Sequence, residues 1–331
     1  MLTRLSSPPA ETAQPRHAGR NAVTATRKGC ATTRCATGSR FAEFPPIAPL
    51  IALFAMLATI PLAAQSPQRI ISAAPSITEM LYALGLGDRV VGVTEFCHYP
   101  PEVRQKPKIG SYMRPNLETI VAMRPDLVVV LREHGELVAQ LRRVGLRVVD
   151  LQHNTLEGIF DAMLLLGRTA GVEDVARERV GELRAKLEVI RSKARGSPRR
   201  KVMFVIGRTP GTIQDLMVVG RQSFLNELIT IAGGQNIFQE ANAFYPRIPR
   251  EEIYARGPEV IIDMGDMADT DRVTEEHKRS VPDLWKALAD VPAVKAGRVY
   301  PVAEDLFVVP GPRVVEAAQM LLEMIHPEAA R

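Results

Sequence analysis

At 331 residues, with 46% hydrophobic and 24% charged side chains, the chain has an ordinary globular composition and room for two domains. Its net charge of +5 belongs to the leader: residues 1–64 hold seven of the 42 bases and two of the 37 acids, which leaves 35 of each in the body. A neutral body offers no electrostatic footprint for nucleic acid. Of the three cysteines only Cys97 lies beyond the leader, which excludes a disulfide framework and a CxxC redox pair.

Residues 1–46 are rich in Arg, Thr, Ala, Pro and Ser without hydrophobic period, and read as disordered. Ile47–Ala64 carries no charge. Its uninterrupted apolar part, Leu50–Ile60, has the length of a signal-peptide core, and Ala63-Ala64 suits cleavage. Export to the periplasm is expected, with a retained membrane anchor as the alternative. No cysteine follows the run, which speaks against a lipoprotein anchor. The long stretch ahead of the run suggests that translation starts later, near Val23.

The body begins with a buried strand, Arg69–Ala74. Ser76 and Glu79 have the spacing of a capping box opening a helix that ends near Gly85. A strand (Arg89–Val93) leads into the aromatic loop Thr94–Pro101. In α/β folds ligands gather at such strand ends. Ile109-Gly110 is a short extended piece, and Asn116–Met123 a helix. Asp126–Leu131 is a continuous apolar run, as in a parallel sheet covered on both faces. Glu136–Val144 (helix) and Leu146–Leu151 (strand) follow. Asn154 and Glu157 form a second capping box for a helix over Leu156–Leu166. Beyond residue 196 the alternation resumes: strands at Lys201–Ile206, Val260–Asp263 and Arg298–Val302, and helices at Ser223–Ala232, Asp283–Ala289 and Gly311–Ile325.

Between the halves lies Glu173–Gly196. Val172, Ala176, Val180, Leu183, Leu187, Ile190 and Ala194 make one apolar stripe at helical spacing, and Glu173/Arg177 and Glu182/Lys186 sit four apart on solvated faces. The stretch reads as a strut joining two α/β lobes. The expected organisation is a leader (1–64), an N-terminal lobe (65–172), the strut (173–196) and a C-terminal lobe (197–331). One pattern occurs in both halves. Glu118-x-Ile120-x-Ala122-x-x-Pro125-Asp126-Leu127 matches Glu251-x-Ile253-x-Ala255-x-x-Pro258-Glu259-Val260, a short helix and a proline break before a buried strand. If the repeat is real, the lobes are pseudo-symmetric and each presents a glutamate, a poor catalytic pair but a good two-point docking surface.

Catalytic signatures are missing. The six histidines show no HExxH spacing, Gly85-Leu86-Gly87 lacks a third glycine, and there is no P-loop or GxSxG elbow. No resident metal or cofactor is expected. His98 and His134 lie in loops at the expected cleft, where either could reach a metal carried by a ligand.

The stretches RIISAAPSITEMLYALGLGDRVVGVTEFCHYPPEV, NLETIVAMRPDLVVV, VGRQSFLNELITIAGGQNIF and GPRVVEAAQML carry a resemblance over residues 68–328. With them the chain resembles the periplasmic substrate-binding proteins of the vitamin B12, haem and iron-siderophore ABC importers, with vitamin B12-binding members as the nearest pattern. The resemblance implies an α/β fold of two Rossmann-like lobes rigidly joined by one long helix; with no catalytic constellation in the sequence an enzyme is not expected, and with no reason for an oligomer a monomer is. It implies capture of a corrinoid between the lobes and delivery to an ABC permease, through Glu118 and Glu251. Implied ligand contacts are Phe96 and Tyr99, Tyr112, and Asp305, Leu306, Phe307, Val308 and Val309, with Arg132 and Arg208 at strand ends facing the cleft. Phe96, His98, Tyr112 and Leu306 differ from the vitamin B12-binding pattern, so haem or a ferric siderophore is the alternative ligand. A two-lobed cleft enzyme and a membrane-anchored ligand sensor are the alternatives of other classes.

Overall fold

The computed structural model describes residues 66–265 and 275–329, and the leader with its export-signal expectation lies outside them. In the N-terminal lobe β1 (Ile70–Ser72), α1 (Pro75–Ala83), β2 (Val90–Val93), α2 (Leu117–Ala122), β3 (Leu127–Leu131), α3 (Gly135–Arg143), β4 (Val148–Leu151) and α4 (Leu156–Ala170) alternate. The sheet runs β2-β1-β3-β4 and is parallel throughout. Every residue of β3, LVVVL, is buried, because helices cover both faces of a parallel sheet.

The strut is α5 (Glu173–Ala194), 22 residues long. Ala176, Val180, Leu187, Ile190 and Ala194 are buried along its stripe, while Val172 and Leu183 are half-buried. Arg177 pairs with Glu173 at 2.6 Å as the spacing suggests, but Glu182 pairs with Arg179 at 2.9 Å rather than with Lys186. These pairs are exposed and contribute little. Packing fixes α5 instead: a Cβ on Gly167 of α4 would lie 2.3 Å from the Ala176 Cβ, so only glycine lets the two helices approach so closely.

The C-terminal lobe comprises β5 (Arg200–Gly207), β6 (Leu216–Val218), α6 (Phe224–Ile231), β7 (Gly234–Asn236), β8 (Arg247–Ile248), α7 (Glu251–Arg256), β9 (Val260–Asp263), α8 (Glu275–Trp285), α9 (Pro292–Lys295), β10 (Val299–Pro301) and α10 (Val314–Ile325). Its parallel strands run β7-β5-β9-β10, the same second-first-third-fourth order as in the N-terminal lobe. The eight-residue β5 takes β7 along its first half and the antiparallel β6 along its second, and β8 extends that edge. Both lobes belong to one compact unit, residues 63–331, and one apolar core runs from β1 through α5 to α10.

The internal repeat extends to hydrogen bonds. The Asp126 carboxylate accepts from the Gln68 and Arg69 N–H groups at 2.7 and 2.9 Å, and the Glu259 carboxylate accepts from the Lys201 N–H at 2.8 Å. Each acid stands just before the third strand and satisfies the chain entering the first. The Arg69 side chain donates to the Met123 and Arg124 carbonyls ending α2, and Lys201 Nζ donates to the Arg256 carbonyl ending α7. A basic side chain near open helix carbonyls is favourable in either lobe.

Both capping boxes are corrected. Ala74 precedes α1 and gives no side-chain cap, because Ser76 bonds His153 and Glu79 pairs with Arg313. Thr155, not Asn154, caps α4 by accepting from the Gly158 N–H, and Glu157 pairs with Arg184. The helix expected over Asp283–Ala289 is the end of α8 followed by a 3₁₀ turn, Lys286–Leu288.

Candidate functional site

The loops that follow the parallel strands of both lobes enclose a cleft of about 1120 Å3. From the N-terminal lobe come Ser76 at the start of α1, Phe96, His98 and Arg104 after β2, Tyr112 and Met113 before α2, Glu133 after β3, and His153 after β4. The C-terminal lobe supplies Ser223 and Phe224 at the start of α6, Phe244 and Tyr245, and the segment after β10 that holds Glu304, Asp305, Val308 and Val309. Phe96, Met113 and Phe244 are exposed apolar side chains, 55%, 74% and 41% accessible. Grouped in one concavity, they mark a surface built to be covered.

Three carboxylates (Glu133, Glu304 and Asp305) and one guanidinium (Arg104) line this cleft. Lys278 bonds Glu304 at 3.2 Å and Arg313 bonds Asp305 at 2.8 Å. Glu133 accepts a long bond from the Tyr112 hydroxyl, 3.4 Å. Burial, and then Glu133, push the Tyr112 phenol up to about 12, so it stays a neutral donor. His153 is buried, its Nε2 2.6 Å from the Ser76 hydroxyl. Burial holds its pKa at about 4, so the imidazole is neutral near pH 7. Among the described residues no cluster of three His, Cys, Asp or Glu could hold a metal ion.

Of the residues expected from the sequence, the structure brings together Phe96, His98, Tyr112, Asp305, Val308 and Val309 around this space. Tyr99 is not in the lining; the Arg313 guanidinium lies 4.3 Å above its ring. Leu306 and Phe307 are corrected to core residues. Residues 305–307 form a 3₁₀ turn, so consecutive side chains fan out, and Phe307 is fully buried edge-on to Phe204. Arg208 is corrected as well. It directly follows β5, but its guanidinium folds inward onto Asp263 at 3.0 Å, both side chains inaccessible, and Trp285 donates to the same carboxylate at 2.7 Å. Arg132 points away to Asp150 and Gln152. His134 is likewise outside the lining, its ring edge-on to Tyr112. Glu118 and Glu251 stand in the first turns of α2 and α7, exposed and without an ion pair to another described residue.

Sequence reasoning missed Ser76, Arg104, Glu133, His153, Phe244 and Tyr245. Only the adjacent aromatics Phe244-Tyr245, in a stretch without period, gave a usable signal.

The family model described as periplasmic binding protein matches residues 70–306. The vitamin B12-binding protein of Vibrio cholerae is 27% identical over 77% of this chain and 87% of its own length. An ABC transporter substrate-binding lipoprotein of Bacillus subtilis, YvrC, is 29% identical over 80% and 82%. Among solved structures, the periplasmic heme-binding protein RhuT from Roseiflexus sp. RS-1 superposes with a TM-score of 0.67 at 26% identity, over 80% of this chain and 99% of that one. The fold is thus that of two lobes on a connecting helix shared with binding proteins of transport rather than with enzymes. With a family match over most of the body and a cleft between two like lobes, the chain belongs to the periplasmic binding protein family.

Proposed function

We propose that the protein captures a corrinoid in the interlobe cleft outside the cytoplasmic membrane and delivers it to an ABC permease. The acceptor groups of the cleft carry the choice of ligand: Glu133, Glu304 and Asp305 present carboxylate oxygens, with Lys278 and Arg313 balancing the charge of the last two. A corrin edge carries neutral amides whose N–H groups donate to carboxylates. Ionised haem propionates only accept hydrogen bonds and cannot satisfy the same oxygens. The cleft volume of about 1120 Å3 and its aromatic and methionine lips suit a broad macrocycle. A corrinoid also brings its own axial ligands, which fits a Tyr112 that stays protonated. The vitamin B12-binding relative of Vibrio cholerae supports this reading.

Haem is the second reading, favoured by the imidazoles of His98 and His153 in the lining and by the likeness to RhuT. Calorimetric titration of the purified protein with cyanocobalamin, cobinamide, haemin and ferrichrome separates the two. Tight saturable binding of the corrinoids alone is expected. Haemin binding with a Soret shift and no corrinoid heat would replace the corrinoid by haem. Glu118 and Glu251 are the docking residues in this scheme, each forming charge-assisted bonds to a cation of the permease. Their exposure on matching helices supports that role.

A further inference from the structure

Gly311-Pro312-Arg313 stands out in the sequence, and capture as described so far assigns it no task. In the structure Arg313 immediately precedes α10 and reaches the N-terminal lobe. Its Nε donates to Glu79 Oε2 at 3.0 Å and its Nη2 donates to Glu79 Oε1, a forked pair joining residues 234 positions apart. Its Nη1 donates to Asp305 Oδ1 at 2.8 Å, and its plane covers the Tyr99 ring at 4.3 Å. The Glu79 side chain is 3% accessible and that of Arg313 10%. Gly311 belongs to the same device: a Cβ there would lie 3.1 Å from Glu79 Oε2, so glycine lets the backbone pass the carboxylate.

We infer that Arg313 is a positioning residue for ligand capture: one guanidinium bolts the C-terminal lobe to Glu79 of the N-terminal lobe and holds the cleft residue Asp305 and the neighbouring Tyr99 in place. The ligand arm of the test rests on the binding reading above; the bolt itself does not. Arginine suits the task because its rigid fork serves two carboxylates at once while its face stacks on a ring. Asp305 is the only one of the three partners that lines the cleft, so ligand contact there is felt by the pair that sets the spacing of the lobes. Burial pushes the Glu79 carboxyl up to about 7, against the pull of Arg313 and with help from Asp305 and Glu316. Protonation near neutrality removes the charge that Arg313 grips.

The test uses Arg313→Lys, which keeps the charge but loses the fork, and Glu79→Gln, which keeps the shape but loses the charge. Spin labels on the exposed sites Gln105→Cys and Asp290→Cys report the interlobe distance in the ligand-free protein at pH 8 and pH 6. Both variants should broaden the distribution at pH 8. Lowering the pH should broaden it in the wild type and leave Glu79→Gln unchanged. Cyanocobalamin should dissociate about tenfold faster from Arg313→Lys. A lower melting temperature with a wild-type distance distribution in both variants would show a merely structural pair and overturn the bolt. If Arg313→Lys fails to fold, Glu79→Gln decides alone. Absent cyanocobalamin binding to the wild type would remove the corrinoid reading, and the distances would still decide the bolt.

Discussion

The two lobes build the same four-strand parallel core and then treat matching places differently. The N-terminal sheet stops at four strands, whereas the C-terminal sheet adds antiparallel β6 and β8 at one edge. Where each lobe meets the cleft with a helix start, Ser76 is spent on His153, while Ser223 caps its own helix by accepting from the Leu225 N–H. What the lobes share is the backbone accounting at the strand entries, through Asp126 and Glu259, and the outward glutamates Glu118 and Glu251. What they do not share lines the cleft. Folding makes the same demand on both halves, so its devices repeat; a ligand held between them presents different atoms to each side, so the site is built from their differences.

The hardest test of the symmetry is at Glu118 and Glu251, the proposed docking residues. Glu118→Ala combined with Glu251→Ala should abolish uptake of labelled cyanocobalamin while calorimetry shows unchanged affinity. Each single variant should keep part of the transport. Lost ligand binding in the double variant would end this division of labour.

The N-terminal lobe has an acid-labile device of its own. Burial holds His153 near pKa 4 against its ordinary 6.5, so between these values the unfolded chain binds a proton that the folded chain refuses. Stability from this group is complete above pH 6.5 and falls as the pH drops toward 4, by about 3 kcal/mol in all. His153→Gln should flatten that limb in urea titrations at pH 4, 5, 6 and 7. The corresponding Ser223→Ala should leave its slope unchanged.

The two ends of the strut offer a smaller contrast. Gly167→Ala drives a methyl into Ala176, and overpacking of this kind costs about 1–3 kcal/mol. Gly233→Ala meets Ala194 less closely, at 3.0 Å, but adds a φ of +80°, a left-handed backbone worth roughly 1–2 kcal/mol. Chemical denaturation of each variant should therefore give similar losses for different reasons. The smallest effects belong to the shared acids. Asp126→Ala forfeits two bonds and Glu259→Ala one, so losses of about 1–2 and about 1 kcal/mol are expected, modest because both sites are wet.

Much of the architecture was legible in the sequence because its signals are periodic or continuous. The stripe of α5, the buried run of β3 and the proline-broken repeat all mark elements that the structure contains. Local chemistry misled where a distant partner outbid a neighbour. Ser76 and Glu79 have capping-box spacing, yet His153 and Arg313 take them, 77 and 234 residues away. Arg208 sits at a strand end facing the cleft in sequence order, but Asp263, 55 positions on, draws its charge into the interior. The strands β6 and β8, three and two residues long, are too short to show a period.

The sequence by itself determined the alternation of strands and helices, the strut and the outward glutamates, since each depends on residues within a turn or two of one another. The tertiary structure alone decided which side chains line the cleft and which hold it together. Asp305 and Phe307 are two residues apart in one turn, yet one faces the cleft and the other is fully buried in the core. That choice depends on where a 3₁₀ turn aims each side chain once two lobes have packed, and no pattern along the chain encodes such a direction.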